Sequence, residues 1–202
     1  CPHRKFLPNE QQAGGGGCAL RGAKLALQPI TDVLHLVHGT RSCLGHVWSS
    51  RPTQSSGSLL HRITLCSDLN EIDLVMGADQ KLLALLGSLK QAYRPAAIFV
   101  YQSCLTAMQG VDLKRLCAEA SQRLACPVHA IDLPGFAAGK QAGHRHAGAM
   151  LAQEIIGTRE PEQLTATDVT VIGEFNVSGE IALLRQIFTA LGLRLLASIP
   201  GD

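Results

Sequence analysis

Apolar residues along this chain come in short continuous runs, separated by stretches in which leucine and alanine return every three or four positions. The first pattern marks strands buried on both faces and the second amphipathic helices. Strands are predicted at "VLHLVHG" (33–39), "RITLCS" (62–67), "AAIFVYQS" (96–103), "PVHAIDLPG" (127–135), "VTVIGEF" (169–175) and "LRLLASIPG" (193–201). Helices are predicted between them. "AKLALQPI" is stopped near Pro29, and "DQKLLALLGSLKQAYRP" carries leucines at 82, 83, 85, 86 and 89 and is closed by Pro95. "VDLKRLCAEASQRLA" and "AGHRHAGAMLAQEIIG" follow, and "SGEIALLRQIFTALG" has Ser178 as its cap and Gly192 as its stop. Repeated strand–helix alternation implies an α/β fold: an open, mostly parallel Rossmann-like sheet with helices on both faces and right-handed crossovers.

The polar connector "TREPEQLTATD" (158–168) divides the chain into a Rossmann-like unit over 18–157 and a second over 168–202. The second holds only strand, helix and strand, so it reads as the beginning of a similar domain, truncated at Pro200-Gly201-Asp202. Residues 1–17, with two prolines and a closing run of four glycines, read as a flexible lead-in.

Composition narrows the function. Of 202 residues, 46% are hydrophobic and 17% charged, with a formal net charge of +2, which is a globular profile without a basic footprint for nucleic acid. No apolar run approaches the roughly 20 residues of a membrane span, and no leader pattern opens the chain, so a cytoplasmic location is expected. Gly-x-Gly-x-x-Gly and P-loop fingerprints are absent, as is any Ser-His-Asp arrangement.

Seven cysteines stand at 1, 18, 43, 66, 104, 117 and 126, an odd number with no Cys-x-x-Cys pair. In open α/β sheets functional groups gather beyond the carboxyl ends of the strands. Cys43 is placed in the loop after the first strand, Cys104 directly after the third, and Cys18 just past the glycine tract. Three thiolates from separate segments could cap a metal cluster; the alternative at each position is a small buried hydrophobe. Cys117 and Cys126 are assigned to the core, Cys66 to the core or an accessory role, and Trp48 to packing of the loop. Lys140, His144, Arg145 and His146 gather at a helix start, either as an anion site or as a solvated turn. His35 and His38 read as hydrogen-bonded structural histidines, and the turn from Gly173 to Glu180 offers amides that could face an anion.

Taken together, "CALRGAKLALQPITDVLHLVHGTRSCLGHVW", "SSGSLLHRITLCSDLNEIDLVMGADQKL", "PAAIFVYQSCLTAMQGVDL", "GTREPE" and "VIGEFNVSGE" resemble the nitrogenase component 1 superfamily almost continuously from Cys18 to Asp202. The resemblance implies a [4Fe-4S] cluster at a heterodimer interface on Cys18, Cys43 and Cys104, with a NifN-like partner subunit supplying the remaining thiolate. It further implies a heterotetrameric, non-catalytic scaffold on which an iron-molybdenum cofactor precursor matures, with Lys140 and His144 holding that anionic cargo. The nitrogenase iron protein and a cofactor-precursor donor would visit it. A nitrogenase α-subunit-like or protochlorophyllide-reductase-like electron-transfer subunit is the second reading, and an inactive fragment the third. The chain departs from the family pattern at Thr40, at Leu20-Arg21 and at Gly110-Val111-Asp112; Arg21 places a cation beside Cys18.

Overall fold

In the first strand, β1 (Val33–His38), Val33, His35 and Val37 alternate with Leu34 and Leu36, and all six residues are buried. Both faces must therefore be covered, which is why the sequence reads as a continuous apolar run rather than an alternating one. A computed structural model describes residues 17–48, 54–55, 58–158 and 161–201; the lead-in up to residue 16, with Cys1, lies outside them.

β1 pairs in parallel with β2 (Thr64–Cys66) on one side and β3 (Ala97–Gln102) on the other; β4 (Val128–Ile131) lies beyond β3. The order β2-β1-β3-β4 means that the chain leaves β1 in one direction and returns to its opposite side. The winding reverses between β1 and β3, the place in an open α/β sheet beyond whose strand ends functional groups gather.

One face of the sheet, with Val33, Val37, Phe99 and Tyr101, packs on α1 (Ala19–Leu27) and α7 (Lys140–Met150). The other, with Leu34, Leu36, Ile98 and Val100, packs on α4 (Asp79–Tyr93) and α6 (Leu113–Leu124). α1 and α7 cross at backbone contact: a Cβ on Gly22 would lie 1.9 Å from the Lys140 carbonyl oxygen, and one on Gly143 2.0 Å from that of Ala19. Three shorter helices, α2 (Arg41–Trp48), α3 (Glu71–Met76) and α5 (Cys104–Met108), sit beyond the carboxyl ends of the strands. No helix among the described residues is long and apolar enough to cross a membrane.

A second parallel pair, β5 (Asp168–Glu174) and β6 (Arg194–Pro200), is connected through α8 (Glu180–Ala190). Asn176, buried in the turn after β5, links this unit to the segment before β2. Its carbonyl accepts from Gln54 N at 2.8 Å, its Nδ2 donates to Ser55 Oγ at 3.4 Å, and its Oδ1 accepts from Ile181 N at 3.1 Å.

Three expectations are corrected. Cys43 is not in a loop but is the third residue of α2, a helix with only Val47 buried and hence no apolar period to announce it. Trp48 does not pack that segment; it is 61% exposed. Ser178 does not cap α8: Gly179, at φ 91°, occupies the N-cap, and the Ser178 amide donates instead to the Glu180 carboxylate at 2.8 Å. Asn176 N likewise donates to Glu174 Oε1 at 2.8 Å, so two amides of that turn face the chain's own carboxylates rather than open space.

Candidate functional site

β1 and β3 end level, with His38 opposite Gln102, so their loops leave the sheet side by side. They also leave in contact, since a Cβ on Gly39 would fall 2.6 Å from Ser103 Cβ. Only glycine fits there, which gives the His38-Gly39 pair a steric role. Buried hydrogen bonds hold the platform: His38 Nδ1 pairs with Ser67 Oγ at 3.0 Å, Gly39 N donates to that same oxygen at 3.0 Å, and Thr106 Oγ1 donates to the His38 carbonyl at 3.3 Å.

Each candidate thiol stands at the start of a helix, two of them, α2 and α5, directly after this platform. Cys43 lies in the first turn of α2. Cys104 is the first residue of α5, whose Ser103 cap accepts from Thr106 N at 3.3 Å. Cys18 is the N-cap of α1, and its Sγ accepts from Arg21 N at 3.5 Å. A bridge between Cys18 and Gly139 fastens it to the start of α7.

The three cysteines line one cleft of about 260 Å³, together with Leu20, Ser42, His46, Val47 and Gly135. Gly135 forms its floor: a Cβ there would lie 2.8 Å from Cys18 Cβ, 3.2 Å from Cys104 Sγ and 3.5 Å from Cys18 Sγ. Two sulfurs therefore converge on a single glycine. The Cys43 thiol is pushed up chiefly by burial, against a lowering hydrogen bond from Thr40, and the neighbouring Cys104 and Cys18 raise it further. Half-buried thiols in an apolar wall form a soft donor set, suited to iron–sulfur clusters rather than to hard cations. Among the described residues no group of His, Cys, Asp or Glu is gathered tightly enough for a single ion. A lone ion would need thiolates about 3.8 Å apart, the spacing set by ~2.3 Å bonds in a tetrahedron. A cluster with one thiolate per iron needs wider spacing. A larger cleft, about 580 Å³ and lined by Ile30, Leu151 and Ile199 among others, lies between the two sheets, and none of the described residues lining it is a cysteine or histidine.

The other candidates lie elsewhere. Lys140 opens α7 with its stem 3.5 Å from a Cβ built on Gly17, next to Cys18, and His144, one turn on, meets Phe175 edge-on at 6.3 Å. Neither lines the cysteine cleft. Cys117 and Cys126 are buried, with the Cys117 thiol pushed up to about 12 by burial. His35 and His38 are fully buried and hydrogen-bonded, His35 Nδ1 to Tyr101 Oη at 2.7 Å. Gly135 and His46 were not foreseen. His46 had a signal, its spacing of three from Cys43 on what proves to be a helix, whereas Gly135 had none short of the fold.

Comparison with known proteins agrees with this architecture. The family model described as nitrogenase component 1 type oxidoreductase matches residues 18–202. The nitrogenase iron-molybdenum cofactor biosynthesis protein NifE of Sinorhizobium fredii is 45% identical over 191 residues, covering 94% of this chain and 38% of that protein. The protein of the same name from Rippkaea orientalis is 43% identical, covering 98% and 43%. A solved structure of nitrogenase Cp1 superposes with a TM-score of 0.86 at 30% identity, over 97% of this chain and 40% of the other. The chain thus spans about two fifths of the length of these relatives. On the match of residues 18–202, and on a fold in agreement with it, the chain belongs to the nitrogenase component 1 type oxidoreductase family.

Proposed function

We propose that this chain serves nitrogenase iron-molybdenum cofactor assembly as a scaffold subunit, pairs with a NifN-like partner and carries a [4Fe-4S] cluster at their interface on Cys18, Cys43 and Cys104. The observation that carries the reading is the convergence of three thiols, from segments up to 86 residues apart in sequence, on one apolar cleft where the sheet reverses its winding. The names and identities of the NifE relatives support the assembly role.

When bound, the cluster supplies electron transfer and a metal-dependent link between subunits. The chain's own residues do the rest. Gly135 leaves room between Cys18 and Cys104, and Leu20 and Val47 exclude water. Three thiols leave one iron of a cubane without a ligand, which a partner thiolate would complete. Trp48, Met108 and Phe136, 61, 77 and 60% exposed, stand on the segments that carry or floor the site, and an apolar rim of this kind suits a protein partner. His144, which meets Phe175 of the second unit, and Lys140, one turn before it, would hold the anionic iron-molybdenum cofactor precursor delivered by its donor, with the nitrogenase iron protein as electron source.

The test is co-expression with a NifN-like partner and purification without oxygen, comparing the natural chain with Cys43→Ala for iron, sulfide and electron paramagnetic resonance. A several-fold loss of iron and signal in the variant is expected; equal iron in both removes the ligand assignment. The 30% identity to nitrogenase Cp1 favours a second reading, an electron-transfer reductase subunit. Substrate reduction by the purified pair would favour it over the scaffold.

A further inference from the structure

The cysteine cleft contains one more side chain able to bind iron. His46 lines it, one turn after Cys43 on α2, so that both residues present to the same side of that helix. Its residue is exposed, which places the ring at the rim of the cleft rather than in its floor, and none of the described residues hydrogen-bonds it. Among the described residues the remaining wall offers Leu20, Val47, Gly135 and the Ser42 hydroxyl. Imidazole is an accepted substitute for thiolate in iron–sulfur proteins and raises the cluster potential where it replaces one.

We infer that His46 is a fourth ligand supplied by this chain itself: its imidazole binds the iron that Cys18, Cys43 and Cys104 leave open whenever no partner thiolate is in place. The inference rests on the three-thiol reading above and extends it to the unpaired subunit. A chain awaiting its partner would otherwise expose an iron to water at an open rim. On pairing, the incoming cysteine gives its thiol proton to solvent and its sulfur takes the iron, while the imidazole leaves neutral. No electron changes hands.

The experiment uses this chain alone, reconstituted with ferrous iron and sulfide without oxygen, reduced with dithionite and examined by pulsed electron paramagnetic resonance. Nitrogen coupling of the strength of a directly bound imidazole is expected, and its pattern should change on labelling histidine with nitrogen-15. His46→Ala should lose that coupling and about one iron in four, with its circular dichroism unchanged. His46→Cys should keep the iron and lower the midpoint potential. A natural chain that retains iron but lacks the coupling, or a coupling that survives in His46→Ala, overturns the role of His46 and leaves the three-thiol site standing. A natural chain that retains no iron on its own also overturns the role of His46, while the three-thiol site is decided by the co-expressed pair and Cys43→Ala.

Discussion

At the scale of single residues, burial decides how this protein responds to acid. His35 is completely enclosed and its pKa is held well below 6.5, first by desolvation and then by the nearby Lys24 and His61; burial brings His38 down to about 4. Both are neutral in the folded chain, while the unfolded chain takes up protons as the pH falls through 6.5. The stability they contribute is therefore fully present above pH 6.5 and is lost below it, at about 1.4 kcal/mol per pH unit for each, until the folded value is reached. Urea midpoints at pH 7.5 and pH 5 should differ accordingly, and His38→Gln should reduce that difference; an unchanged difference would mean that His38 is not the titrating group. Gly135 makes a steric counterpart. Gly135→Ala would push a methyl against Cys18 and Cys104, and the overpacking should cost about 1–3 kcal/mol by thermal unfolding together with loss of bound iron. Full iron retention would show that the floor of the cleft can give way.

Between elements, the α1–α7 crossing sets where Cys18 and Lys140 stand, because the two helices touch through Gly22 and Gly143. Glycine in the middle of a helix ordinarily costs about 0.5–1 kcal/mol relative to alanine, so its presence needs a reason. Gly143 has one in the Ala19 carbonyl; Gly148, on the same helix with nothing within 4 Å of its would-be Cβ, does not. Gly148→Ala should be neutral or raise stability by about 0.5–1 kcal/mol, whereas Gly143→Ala should destabilise by about 1–3 kcal/mol or more and displace Cys18. Chemical denaturation of the pair is an internally controlled test, and equal effects would remove the close-packing argument. The helix pattern that made α4 and α6 easy to foresee is missing from α2 and α5. They hold Cys43 and Cys104 in their first turns and bury no more than one residue each, so they have no apolar face to repeat.

For the molecule as a whole, the two sheets share no strand pairing among the described residues; Asn176 bonds across to Gln54 and Ser55, before β2, while Ile181 of its own unit holds its side chain. Asn176→Ala would leave the Ile181 amide without its side-chain acceptor and break the link to Ser55, a loss of about 1–3 kcal/mol for buried polar groups left unsatisfied. Hydrogen exchange should then accelerate across β5, α8 and β6 while the four-stranded sheet keeps its protection. Uniform acceleration over both would show that they unfold as one unit.

How far the order of residues carried the fold is plain from β1, β3, α4 and α6. Continuous apolar runs and leucines at helical spacing depend only on neighbours along the chain, and each element appears within a few residues of where its pattern lies. The α/β class and the parallel sheet follow from their alternation, and the candidate thiols were legible as residues just beyond strand ends or before the first helix. What no local pattern contains is distance across the chain. The level ends of β1 and β3, the reversal of winding between them, the contact of Gly39 with Ser103 and the meeting of Cys18 with Cys104 over Gly135 arise only when separate segments pack. The same holds for His46, an unremarked residue until α2 turned it toward the cleft that holds Cys43. Sequence alone determined which elements form, because their periodicity is local; tertiary structure decided which side chains share a site, because convergence is a property of packing.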